Sequence, residues 1–106
     1  MLSFEKFSAL LEKVKANQAN YQPVTLCFLS TMPNLEATQI EIAERLAIKN
    51  GLKKGDFKQF MASCPVWKVL TGKKMIVKDG NYYRLNTTLT PTQKDKVMEI
   101  CKGLMK

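Results

Sequence analysis

The 106-residue chain has no histidine. That removes the side chain most often used as a general base near neutral pH, and with it any mixed Cys/His metal site. Only three cysteines are present, Cys27, Cys64 and Cys101, far apart in sequence. An odd count without close pair spacing argues against a disulfide framework or a zinc site. All three stand among apolar residues, where a reduced thiol behaves as a small hydrophobe. No apolar run approaches the roughly 18 residues that a membrane span needs. The N-terminus mixes Glu5, Lys6, Glu12 and Lys13 with apolar residues, unlike the basic head and unbroken apolar stretch of an export signal. The expectation is a cytoplasmic protein of one domain, residues 1–106, with no cofactor and no membrane partner, nucleoid-associated if it binds DNA.

Acidic residues are also scarce: nine Asp and Glu against 17 Lys and Arg, for a net charge of +8. The excess is local. Between Arg45 and Arg84 the only acids are Asp56 and Asp79, and that window alone carries the net +8, so the remainder is balanced. A confined basic patch attracts phosphate backbones and steers encounter with them. Hydrophobic residues make up 45% of the chain, which excludes a disordered class.

Along the chain, Phe4, Phe7, Leu11 and Val14 recur at helical spacing, and Ser3 can cap, so residues 3–19 read as a first helix. Pro23 opens residues 23–31, apolar almost all round and therefore a central buried helix, which Pro33 and Asn34 end. Thr38 and Glu41 form a capping box for a third helix whose inner face is Ile42, Ala43 and Leu46 and whose end is Asn50-Gly51. Asp56 caps a fourth helical region, with Gln59 at the box position and Phe57, Phe60 and Met61 apolar. Pro65 breaks or kinks that region, and Val66, Trp67, Val69 and Leu70 carry it on to Thr71-Gly72. A hairpin turned on Asp79-Gly80 pairs Lys78 with Asn81, Val77 with Tyr82 and Ile76 with Tyr83. Ile76, Tyr83 and Leu85 then face the core, and Met75, Val77, Tyr82 and Arg84 face out. Thr90, Pro91 and Gln93 start a last helix over residues 91–105, with Val97, Ile100, Cys101 and Leu104 as its stripe. That stripe packs on the first helix or forms a homodimer seam.

Helix, helix, hairpin is the order of a winged helix-turn-helix. The fold class expected is mainly α with one β-hairpin, the helix-turn-helix over residues 38–70, the wing over 73–86, and additional N- and C-terminal helices. In such a fold the second helix of the motif enters the major groove and the wing follows the backbone. Lys58 and Gln59 fall in the first turn of that helix, where Lys can meet guanine and Gln adenine. Ser63 and Lys68 are further contacts. Lys49, Lys53 and Lys54 precede the helix and suit phosphate, and Lys73, Lys74, Lys78, Asn81, Tyr82 and Arg84 decorate the wing. Trp67 is assigned to core packing, and Tyr82 is the better candidate for touching a nucleotide.

Catalytic signals are weak. Asp56-x-Lys58 looks like a short nuclease element, but it stands at a helix start without a second acid, and capping accounts for Asp56. Glu41 belongs to its capping box and Glu44 to a solvated helix face. Gly51-x-x-x-Gly55 lacks the Lys-Ser/Thr of a phosphate loop, and Ser63-Cys64 has no histidine to activate it. The chain is expected to be non-catalytic. The alternatives are a winged helix used for protein–protein interaction, with Met98, Leu104 and Met105 as its adhesive surface, or an RNA-binding module.

Four runs in order carry a family resemblance: Asn20-Tyr21-Gln22-Pro23-Val24, Ala37-Thr38-x-x-Glu41-Ile42-Ala43, Pro65-Val66-Trp67-Lys68-Val69-Leu70 and Asn81-Tyr82-Tyr83-Arg84-Leu85-Asn86. Over residues 20–86 the chain resembles a winged-helix module of bacterial and archaeal restriction endonucleases, often found beside an HNH-type nuclease domain. The resemblance implies double-stranded DNA recognition in support of a nuclease domain, or as a small regulator. It departs from the family in the loop before the wing, which is Thr71-Gly72-Lys73-Lys74 where the family has a glycine followed directly by aliphatics, and in carrying no nuclease domain.

Overall fold

Helix α2 (Tyr21–Thr31) is the element on which the rest is packed in the computed structural model, which describes residues 1–14, 21–62 and 66–104. Its residues Pro23, Val24, Thr25, Leu26, Leu29 and Ser30 are buried. An all-round apolar helix has no face to give to water, so neighbours must surround it. They are α6 (Pro91–Leu104), α3 (Gln39–Lys49), α5 (Val66–Gly72) and the sheet, with α1 (Phe4–Glu12) packed on α6. Phe7, Leu11, Leu26, Leu29, Ile42, Leu46, Leu70, Ile76, Leu85 and Val97 are fully buried in one core. Truncating any of these leucines or isoleucines to Ala costs about 2–5 kcal/mol by cavity formation.

Local start signals act as written in the sequence. The Ser3 hydroxyl accepts from the Lys6 N–H at 3.2 Å. The Glu41 N–H donates to Thr38 Oγ1 at 3.1 Å while the Thr38 N–H donates to Glu41 Oε1 at 2.9 Å. The Gln93 N–H donates to Thr90 Oγ1 at 3.2 Å while the Thr90 N–H donates to Gln93 Oε1 at 2.9 Å. Each box answers two N–H groups that a helix start leaves open. Gly51, at φ +77, ends α3 in a left-handed conformation that costs glycine little.

Several expectations are corrected. The first helix ends at Glu12, because the Lys13 and Val14 N–H groups turn to the Leu10 and Leu11 carbonyls, both at 3.1 Å, closing it with a tighter turn; residues 15–19 lie outside the described residues. Asp56 does not cap the helix that follows it. Its carboxylate accepts from the Lys53 N–H at 3.1 Å, inside a 3-10 turn (Lys54–Phe57) that leads into α4 (Lys58–Ala62). The expected interruption at Pro65 and the packing of the Trp67 side chain lie outside what is described.

The single hairpin is replaced by a three-stranded antiparallel sheet. Strand β1 (Glu36–Thr38), between α2 and α3, pairs with β3 (Tyr82–Leu85), which pairs with β2 (Ile76–Asp79), giving the order β1-β3-β2. The hairpin register is Ile76 with Leu85, Val77 with Arg84, Lys78 with Tyr83 and Asp79 with Tyr82. The turn therefore lies on Gly80 and Asn81, one residue later than expected. Gly80 is at φ +61 and Asn81 is not in the left-handed region, the φ signature of a type II′ turn with glycine first. The pairing shifts by two residues, an even number, so Ile76, Tyr83 and Leu85 keep the core face. Met75 does not follow the outward assignment and is fully buried. It precedes β2, and its N–H and C=O are tied to Leu70 (3.1 Å) and Asn86 (2.9 Å), so pleat alternation does not govern it.

Candidate functional site

The sheet and the α3–α4 connection position the basic residues. Every lysine from Lys49 to Lys78 is exposed: Lys49 at the end of α3, Lys53 and Lys54 in the connection, Lys58 at the start of α4, Lys68 on α5, Lys73 and Lys74 between α5 and β2, and Lys78 on β2. Gln59 is exposed beside Lys58 on α4. Ser63 lies outside the described residues.

Several of them border recesses. Lys78 joins two recesses. In one, of about 380 Å³, it and Asn81 stand opposite Thr38, Gln39, Ile40 and Met61, between the hairpin tip and the α3–α4 pair. In the other, of about 370 Å³, it meets Lys68, Thr71, Gly72 and Tyr83 under α5. Burial pushes the Tyr83 phenol above its ordinary range, keeping it neutral in this cationic corner. Gln39 ties the helices across the first recess, its Nε2 donating to the Met61 carbonyl at 3.3 Å.

Tyr82 and Arg84 lie on the other face of the sheet. The register places them with Asp79, Val77, Glu36 and Thr38, away from Lys78. Arg84 is half-buried, reaches Asp79 at 3.7 Å and shares a shallow recess with Glu36 and Lys94, so its charge is partly answered within the protein. Lys54 reaches Glu44 at 3.8 Å, with 69% of its side chain still exposed; such a surface pair holds little and can open to a ligand. The Lys74 carbonyl accepts from Asn86 Nδ2 at 2.8 Å, leaving its ammonium outward.

Lys49 points to a different region. With Arg45 and Lys102 it borders a recess of about 210 Å³ over Val24, Cys27 and Phe28, and the Arg45 guanidinium stacks 4.9 Å from the Phe28 ring centroid. Cys27 and Cys101, 74 positions apart in sequence, are in hydrogen-bonding contact there. The Cys101 thiol, and after it the Lys102, Lys49 and Arg45 charges, hold Cys27 below the usual thiol range against the opposing effect of burial. The same shared proton and burial push Cys101 well above it.

Sequence reading missed Gln39, Ile40 and Met61 in the first recess, because only the unforeseen β1–β3 pairing brings the start of α3 to the hairpin tip. The four-residue spacing of Arg45 and Lys49 already placed them on one helix face; nothing local announced Lys102 or the cysteine contact. Among the described residues no group of three or more His, Cys, Asp or Glu side chains comes together, and no helix is long and apolar enough to cross a membrane. In comparisons with known proteins, the chain matches no family model, no curated protein and no solved structure.

Proposed function

We propose that this chain is a winged helix-turn-helix that binds double-stranded DNA without chemistry of its own. It is the recognition module of a nuclease or a small regulator, as the resemblance to restriction-endonuclease modules implies. The supporting observation is the placement of charge: the whole net +8 falls between Arg45 and Arg84, and every lysine in that stretch is exposed on α3, α4, α5, β2 or their connections. The element order agrees with the reading. α3 and the α4–α5 pair make the helix-turn-helix, the β2–β3 hairpin makes the wing, and β1 anchors that wing to the body.

In this reading α4 presents Lys58 and Gln59 to base edges, with Lys68 of α5 beside them. Lys53, Lys54, Lys73 and Lys74 neutralise phosphates, and Lys78 and Asn81 at the wing tip meet the neighbouring backbone. The alternative of a protein partner on the last helix has less behind it. Of the surface named for it, Leu104 packs against the core, Met98 is half-buried and Met105 lies outside the described residues, while Val97 and Cys101 of the same helix are fully buried.

Fluorescence anisotropy with a labelled random-sequence duplex across a salt series tests the proposal. The expected result is binding whose logarithm falls linearly with log salt, with a slope of about −0.9 per phosphate neutralised. No binding at low salt by protein that circular dichroism shows folded would overturn it.

A further inference from the structure

Of the residues lining the recess over Cys27, only Lys49 is assigned to DNA. Two core thiols in contact would be ordinary packing if both were sealed. Here Cys101 is fully buried but Cys27 is only half-buried, and it lines a recess of about 210 Å³ that opens outward. Val24 and Phe28 give the recess an apolar floor, and Arg45 and Lys49 from α3 with Lys102 from α6 give it a cationic rim. None of these three cations is ion-paired to a carboxylate among the described residues. A nucleophilic sulfur, a second thiol touching it and a rim of unanswered positive charge are the parts of a thiol-exchange site for an anionic ligand.

We propose that Cys27 exchanges with a small disulfide whose halves carry carboxylates, seated by Arg45, Lys49 and Lys102, and that Cys101 resolves the adduct into a Cys27–Cys101 disulfide linking α2 to α6. The Cys27 thiolate attacks one sulfur of the ligand. The ligand S–S bond breaks, a mixed disulfide forms on Cys27, and the first half leaves as a thiolate that takes up a proton. Cys101 then gives up its proton and attacks the Cys27 sulfur, expelling the second half, which is protonated in turn. Two protein thiols are oxidised to one disulfide, and one small disulfide is reduced to two thiols. Once Cys27 is in the mixed disulfide it no longer carries the charge that raises Cys101, so the resolving step is eased as the adduct forms. The rim matters in the first step, where opposite charge concentrates the ligand at the sulfur.

The test uses the folded full chain and glutathione disulfide as the probe. Cleavage after Lys and Arg places Cys27, Cys64 and Cys101 on three separate peptides, so linkages can be read directly by non-reducing mass spectrometry. The expected products are a Cys27–Cys101 linkage in the wild type and a stable mixed disulfide on Cys27 in Cys101→Ala. Glutathione disulfide should react at least about tenfold faster than the neutral hydroxyethyl disulfide, and Lys49→Gln with Lys102→Gln should erase that preference. Absence of the linkage, modification chiefly at Cys64, or equal rates for the charged and neutral probes would each overturn the proposal. If Cys101→Ala does not fold, the wild-type linkage and the rate ratio decide it alone.

Discussion

Lys74 stands at φ +62, in the left-handed region where an L side chain is strained by about 1–2 kcal/mol. Lys74→Gly should therefore stabilise the fold by roughly 0.5–1 kcal/mol in urea denaturation, net of the extra freedom of the unfolded glycine. The same change removes one exposed cation, so DNA binding should weaken and its salt slope become shallower by about one unit. Stability and binding moving in opposite directions would separate a phosphate contact from a structural lysine; tighter binding by the variant would contradict the assignment. Gln59 belongs to the other class of contact. Gln59→Ala should cost about 1–3 kcal/mol on sequences that offer it a base partner and little on others, in anisotropy competition across a site library. Single residues were legible in the sequence where their chemistry is local. Thr38 with Glu41 and Thr90 with Gln93 answer helix starts three positions away, and spacing alone identifies them. Asp56 was misassigned for the same reason: a carboxylate can serve the N–H three residues before it as well as those after, and here it takes Lys53.

The decisive element is the connection from α3 to α4. Lys53 and Lys54 sit in it, both exposed, and the ammonium of Lys54 reaches the Glu44 carboxylate at 3.8 Å. Lys53→Ala with Lys54→Ala should leave stability within about 0.5 kcal/mol, since exposed pairs contribute little. It should weaken all duplexes alike and flatten the salt slope by about one to two units. Sequence-selective loss from this pair would place it at base edges instead of phosphates. Elements were recovered where apolar period and caps agree, as in α3 and α6, and α2 was recovered from its all-round apolar run. β1 was not: Glu36-Ala37-Thr38 is too short to alternate, and what makes it a strand is pairing with residues Arg84, Tyr83 and Tyr82 far along the chain. The hairpin was found but turned one residue early, because Asp79-Gly80 and Gly80-Asn81 are both good turn pairs. Burial does not separate the two registers, because Leu85 faces the core in both; the observed one pairs Ile76 with Leu85.

At the scale of the molecule, contacts between elements remote in sequence decide the outcome, and periodicity is silent about them. The meeting of Cys27 with Cys101 comes from packing α6 on α2, and the approach of the hairpin tip to the start of α3 comes from pairing β1 with β3. Charge location was legible in the sequence, since it needs only counting; charge orientation was not. The extent of the molecule sets a further expectation. Its longest dimension is 35 Å, close to one turn of B-DNA, about 34–36 Å and about 10 base pairs. A single copy lying along the groove should therefore cover about one turn. In anisotropy titrations with hairpin duplexes of increasing length, affinity should rise to about 10–12 base pairs and afterwards grow only in proportion to the number of overlapping sites. A cooperative step near about 20 base pairs would instead mean that two copies engage one duplex. Because the α6 stripe is already covered by α2 and α1, such a pairing would have to use another surface, and the exposed Ile40, Ile48 and Leu52 of α3 and its following loop are where it would be sought.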